Sequence, residues 1–94
     1  MRNIIYSSHL MLRLRLRGIP YHLPKKIYQT SKEHYFDTIT LKKIAIKEVK
    51  YKNKLREMAV VYEEIDNQIN LITIHPLKKY QKISRIKSER WQKL

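Results

Sequence analysis

The stretch Ser7-Ser8-His9-Leu10-Met11-Leu12-Arg13-Leu14-Arg15-Leu16-Arg17-Gly18 decides the fold. From Leu10 to Arg17 apolar and basic residues alternate with period two, which taken alone describes a strand. The residue types say otherwise. Leu, Met and Arg are good helix formers, and no Val, Ile or Thr lies between residues 7 and 18. A hydroxyl at Ser7 or Ser8 can accept from the free N–H groups of a first helical turn. Gly18 tolerates the left-handed backbone that ends a helix. The segment therefore reads as a helix ending at Arg17.

Working outward, residues 3–6 form a short apolar run suited to an opening strand. Pro20 suits a first helical position and Pro24 a first turn, so residues 21–30 read as a second helix. Strands are expected at residues 33–37, 43–50, 56–63 and 69–75, with turns at Lys52-Asn53-Lys54 and Ile65-Asp66-Asn67-Gln68 and a stop at Pro76. Tyr80, Ile83 and Ile86 stand at helical spacing, so residues 78–90 read as a basic terminal helix. The expectation is one α+β domain over residues 1–94. It has an antiparallel meander of about four strands, two N-terminal helices and one C-terminal helix.

The chain has 94 residues, 21 Lys+Arg against 8 Asp+Glu, no Cys and 43% hydrophobic residues. That is one domain's length and a globular, not disordered, composition. Without Cys there is no disulfide, thiolate nucleophile or Cys-based zinc site. No apolar run is long enough for a transmembrane helix. Met1-Arg2-Asn3-Ile4-Ile5-Tyr6 has too short an apolar stretch for a signal peptide, so a cytoplasmic address is expected. The excess charge sits at the ends. Residues 1–32 carry seven basic groups and no acid, residues 33–77 seven of each, and residues 78–94 seven basic groups and one acid. If the ends pack side by side they make one basic surface suited to nucleic acid or an acidic protein, and the expected packing of the helices brings them together. The alternative is a solvated Lys-rich surface.

His9, Arg13 and Arg17 stand at i, i+4 and i+8, one side of a helix. The imidazole is a candidate proton acceptor and the guanidiniums candidate phosphate ligands. His75 closes a strand just before Pro76, where side chains can face a cleft; a structural, backbone-bonded histidine fits equally. Tyr62 offers a ring for base stacking or simply a core residue. Arg85, Arg90 and Trp91 combine guanidinium and indole, which can hold phosphate and base, though Trp91 also suits a hydrophobic anchor. His22 and His34 receive no role. No metal site or paired-carboxylate centre is indicated, and no phosphate-binding loop, dinucleotide fingerprint or serine elbow is present.

Three segments in order resemble a known pattern: Ser8-His9 with Arg13 and Arg17-Gly18-Ile19-Pro20, then Met58-Ala59-Val60-Val61-Tyr62, then Ile72-Thr73-Ile74-His75-Pro76-Leu77 with Arg85 and Glu89-Arg90-Trp91. The set resembles a family of small prokaryotic proteins of unknown function allied to the BrnT and RelE-like toxins. Glu89 stands where that pattern has a small residue. The resemblance implies a toxin-like α+β fold with a basic cleft. It also implies a metal-independent, cofactor-free ribonuclease acting on RNA or ribosome-associated mRNA, with an antitoxin partner that is acidic in part. On that reading His9 and His75 transfer protons, Arg13, Arg17, Arg85 and Arg90 hold the phosphate, and Tyr62 and Trp91 stack on bases. The alternatives are a non-catalytic basic binder of nucleic acid or protein, and a small structural protein whose basic ends meet a partner chain.

Overall fold

Ser7 and Gly18 do set the limits of a helix. In the computed structural model, which describes residues 2–94, α1 spans Ser8–Arg17. The Ser7 hydroxyl accepts from the Leu10 N–H at 3.0 Å. Gly18 takes a left-handed conformation, φ 63°, and its N–H returns to the Leu14 carbonyl. The period-two pattern has a helical explanation: Leu10 and Leu14, one turn apart, are buried, while Met11, Leu12 and Leu16 are exposed.

Before α1 lies β1 (Asn3–Tyr6). After it come α2 (Leu23–Thr30), β2 (Glu33–Asp37), β3 (Lys43–Tyr51), β4 (Lys54–Ile65), β5 (Gln68–Pro76), α3 (Gln81–Lys87) and β6 (Trp91–Lys93). Pro24 sits in the first turn of α2, where its missing N–H costs nothing. Lys52 and Asn53 both have positive φ, 51° and 65°, which gives the β3–β4 hairpin the backbone twist that matches its strands.

The α+β class holds, but the sheet is larger and less uniform than the expected four-stranded antiparallel meander. Six strands lie in the order β1-β5-β4-β3-β2-β6. The meander β2–β3–β4–β5 is antiparallel, β1 adds to β5 in parallel, and β6 adds antiparallel to β2. The terminal helix is also shorter than residues 78–90. Glu89, at φ 63°, turns the chain out of α3, and the last residues extend along β2. Met1, the first residue of the segment read as too short for a signal peptide, lies outside the described residues. Among those residues no helix is long and apolar enough to cross a membrane.

The two sheet faces are covered unequally. On the first, Leu10, Leu14, Leu23 and Ile27 of α1 and α2 pack on Met58, Val60, Ile69, Leu71 and Ile74. On the second, Tyr35, Ile44, Ile46 and Ala59 pack with Leu77 and Trp91. The helix on this side, α3, buries none of its residues. The terminal helices thus do not lie together: α1 covers the first face, and α3 carries side chains toward the second. That corrects the expectation that the two basic ends converge.

Leu71 is fully buried on the first face and Leu16 is 73% exposed. Leu71→Ala lowers the unfolding free energy by about 3 kcal/mol, and Leu16→Ala by no more than about 0.5 kcal/mol. Urea denaturation midpoints of the two variants check this. Equal losses would mean that α1 presents a different face to the sheet.

Candidate functional site

Simple alternation along β5 would leave His75 on the same face as Ile69 and Leu71, under the helices. A bulge prevents this. Val61 pairs with Thr73 but its neighbour Tyr62 pairs with Leu71, so Ile72 is an extra residue in β5. The parity of the strand changes there. Ile74 rejoins the helix-covered core, and His75, opposite Ala59, turns to the second face.

Polar groups of α1 stabilise the bulged segment, because β1 pairs with β5 only as far as Leu71. The Ser7 hydroxyl donates to the Ile72 carbonyl at 2.8 Å, and Arg13 Nε donates to the Ile74 carbonyl at 2.7 Å. These bonds satisfy an edge that would otherwise expose unpaired carbonyls.

On the second face His75 lines a cavity of about 200 Å³. Val61 and Ile44 contribute apolar wall, Thr40 and Lys42 come from the end of the β2–β3 turn, Gln81 and Arg85 come from α3, and Asp37, Arg90 and Trp91 complete it. Four of the residues singled out in the sequence, His75, Arg85, Arg90 and Trp91, therefore meet. Burial, and then the nearby Arg13 charge, push the His75 imidazole below its ordinary pKa. At neutral pH it is the uncharged form, able to accept a proton.

Asp37 organises this side of the molecule. It is 3% exposed, and its carboxylate accepts from the backbone N–H groups of Ile39 and Thr40 at 2.9 and 3.3 Å. It also accepts from Arg90 Nε and Nη2, both at 3.1 Å, and from the Trp91 indole N–H at 3.3 Å. Burial raises a carboxyl pKa, but here the Arg90 hydrogen bonds, the two backbone donors and the Arg90 charge outweigh it and bring the value down to about 2.

Lys82 fixes α3 from the other flank. Its ammonium lies 2.6 Å from Glu57 and 3.1 Å from Glu33, and the Tyr35 hydroxyl donates to the same Glu33 carboxylate. These contacts lean α3 toward the sheet and keep Arg85 on the cavity.

The remaining candidates lie elsewhere. Tyr62 is 3% exposed on the first face, its hydroxyl 2.7 Å from His34 Nδ1 and its ring edge-on to Tyr28. Burial raises its pKa strongly. An enclosed phenol has no face to offer a base, which removes Tyr62 from the nucleic-acid-binding set. His9 is exposed on α1 and does not line the His75 cavity, so the two imidazoles do not form one site there. Arg17 borders a different hollow, beside Lys50 and Lys52. Arg13 is engaged at the β5 edge, near His75 but bonded to backbone. Trp91 is a buried anchor whose ring stacks on Tyr35 at 6.0 Å between centroids.

The sequence reading missed Asp37, Lys42 and Gln81. For Asp37 a signal was present: Asp followed by Thr-Ile-Thr suits a turn in which the carboxylate bonds to backbone two and three residues on. Among the described residues no three carboxylate or imidazole groups cluster as metal ligands. Comparison with protein-family models, curated proteins and solved structures finds no match for this chain.

Because the folded Asp37 pKa lies below the ordinary value of 3.8, its contribution to stability is fully present above about pH 4 and is lost as pH falls toward 2. The depression corresponds to about 2 kcal/mol. Urea titrations at pH 5, 3 and 2 should show this loss in the wild type. In Asp37→Asn that part of the acid dependence disappears while stability at pH 5 falls. An unchanged acid profile in the variant would mean that the carboxylate carries no such role.

Proposed function

We propose that the second-face cavity binds single-stranded RNA and cleaves it without a metal, in the manner of a small toxin held in check by a partner protein. One observation carries this reading: the neutral imidazole of His75 shares a cavity with the Arg85 guanidinium and with Lys42 and Arg90, which are paired to Glu63 and Asp37. RNA brings its own nucleophile, the 2′-hydroxyl. His75 takes the 2′ proton, and the freed oxygen attacks the adjacent phosphorus. The bond to the 5′ oxygen breaks, leaving a 2′,3′-cyclic phosphate and a 5′-hydroxyl end. Arg85 and the N–H donors of Arg90 not engaged by Asp37 face the negative charge that builds on the phosphorane. Lys42 lines the same cavity, and its ammonium, released from its ion pair with Glu63 at 3.1 Å, is the acid for the departing 5′ oxygen. His75 and Arg85 thus keep the roles assigned from sequence, while His9, Arg17 and Tyr62 do not enter the reaction. The resemblance to BrnT and RelE-like toxins points to the same chemistry, and to an antitoxin acidic in part as the partner of this basic chain.

A second reading is a binder without catalysis. It is favoured by the presence of a single imidazole in the cavity, since His9 lies outside it. The two readings part on one experiment. RNA is incubated with purified protein in EDTA, and cleavage by wild type is compared with His75→Ala and Arg85→Ala. Loss of about 10²–10⁴-fold in rate for His75→Ala supports the catalytic reading. Retained affinity with no cleavage by any of the three proteins supports the binder.

The pH dependence of cleavage follows from the direction of the His75 shift. A base must be unprotonated, so the rate rises with pH through a midpoint below the ordinary histidine value of 6.5. Arg13→Gln removes a cation that disfavours imidazolium, and the midpoint should move up. A midpoint lying above the ordinary value would exclude His75 as the base, and one unmoved by Arg13→Gln would leave burial as the cause of the shift.

A further inference from the structure

If the cavity holds RNA, the nucleotides on either side of the reacting one need support, and neither aromatic residue chosen for stacking from the sequence can supply it. Tyr62 is enclosed on the first face, and Trp91 is buried with one face of its ring against Tyr35. Among the described residues two aromatic side chains are exposed, Tyr21 at 63% and Tyr80 at 67%. Tyr21 lies between α1 and α2 and already packs its ring against Tyr6 at 4.9 Å. Tyr80 stands immediately before α3, the helix that contributes Gln81 and Arg85 to the cavity.

The surroundings of Tyr80 fit a nucleotide. It borders a hollow of about 290 Å³ together with Lys78, Lys79, Lys82 and Glu57. The one carboxylate there, Glu57, is paired with Lys82 at 2.6 Å, an ammonium it shares with Glu33, and Lys78 and Lys79 add two further cations to the surface. The Lys79 ammonium lies over one face of the Tyr80 ring, 5.1 Å from its centroid, so a base stacks on the other face with a cation across the ring from it. Tyr80 also holds φ 66°, a left-handed backbone that a bulky residue rarely adopts, at the N-cap of α3. This hollow and the His75 cavity flank the N-terminal part of α3, with Lys82 and Ile83 bordering one and Gln81 and Arg85 the other.

We infer that Tyr80, with Lys78 and Lys79, forms a subsite for a flanking nucleotide of single-stranded RNA, its base stacked on the phenol ring and its phosphate held by the lysines. A strand seated in the His75 cavity crosses the N-terminal part of α3 to reach it. Stacking on an aromatic face accepts any base, so this subsite adds affinity for unpaired RNA and no sequence preference. The inference rests on the reading of the cavity as an RNA site and extends it to a second contact.

The test uses the full chain and a fluorescein-labelled 12-nucleotide oligoadenylate RNA, with affinity measured by anisotropy. Tyr80→Ala is expected to weaken binding about tenfold, Tyr80→Phe to keep it, and Lys78→Ala with Lys79→Ala to weaken it and flatten its salt dependence. All three positions are exposed, so the variants fold. Tyr80→Trp places an indole on the proposed platform, and its emission should be quenched as the RNA is added, beyond any change shown by wild type. Unchanged affinity in Tyr80→Ala, or an unquenched indole under saturating RNA, overturns the subsite. Displacement of the RNA by an oligoglutamate peptide whose own affinity falls equally in Tyr80→Ala assigns the patch to an acidic protein and overturns it too. The two levels separate cleanly. Wild type that neither binds nor cleaves the RNA refutes the cavity reading and this inference together. Wild type that binds and cleaves while Tyr80→Ala behaves identically refutes this inference alone.

Discussion

The attachment of the C-terminal segment to the second face depends on one buried carboxylate. A charge as enclosed as that of Asp37 costs several kcal/mol unless donors surround it. The donors come from two places in the chain: the backbone just after Asp37, and Arg90 and Trp91 more than fifty residues later. The same group therefore closes the β2–β3 turn and ties the C-terminal segment to it. A three-residue strand such as β6 has little stability of its own, and the ion pair with the indole bond explains why it stays on β2. Two of the five N–H donors of Arg90 are fixed on Asp37, which sets the plane in which its remaining donors face the cavity.

The two faces are held by different forces. The first is an apolar core between two helices and the sheet, insensitive to salt. On the second, α3 has seven residues and buries none, too little to be helical by itself. It is held by Lys82 between Glu33 and Glu57 and by the chain on either side. The same division accounts for the charge. The acids of the neutral middle are largely used up inside the fold: Glu33 and Glu57 by Lys82, Asp37 by Arg90, Glu63 by Lys42, and Glu64 by Lys43 and Arg2. The excess of the ends remains as cations that face outward on both sides.

Elements whose limits are written locally were legible in the sequence. The Ser7 cap, Gly18, Pro24 in a first turn and the Lys52-Asn53 turn each act through their own backbone, and residue type alone reveals them. What was not legible depends on contacts distant in sequence. Residues 91–93 carry no local signal of a strand, and Asp37 holds them there by capturing the Trp91 indole from 54 residues away. Opposite Leu71 in the sheet, Tyr62 turns inward because it shares the parity of Met58 and Val60, a face that becomes known only when the helices are placed. Convergence of the basic ends failed for the same reason, since composition gives the charge of a segment but not the face it covers.

His75 shows how little separates a core histidine from a site histidine. With uniform pairing it would follow Ile69 and Leu71 beneath α1 and α2. The extra residue at Ile72 reverses the parity of the strand's last turn and delivers the imidazole to the side where cations gather. A bulge at a half-covered edge needs partners for the carbonyls it displaces, and α1 provides them through the Ser7 hydroxyl and the Arg13 guanidinium. Arg13 thus does two things from one position. It completes the hydrogen bonding that lets the strand change parity, and its charge adds to burial in keeping the partly buried His75 ring neutral. The first helix therefore acts on the second face without lying on it: its side chains reach the β5 edge, and the edge carries their effect through the sheet.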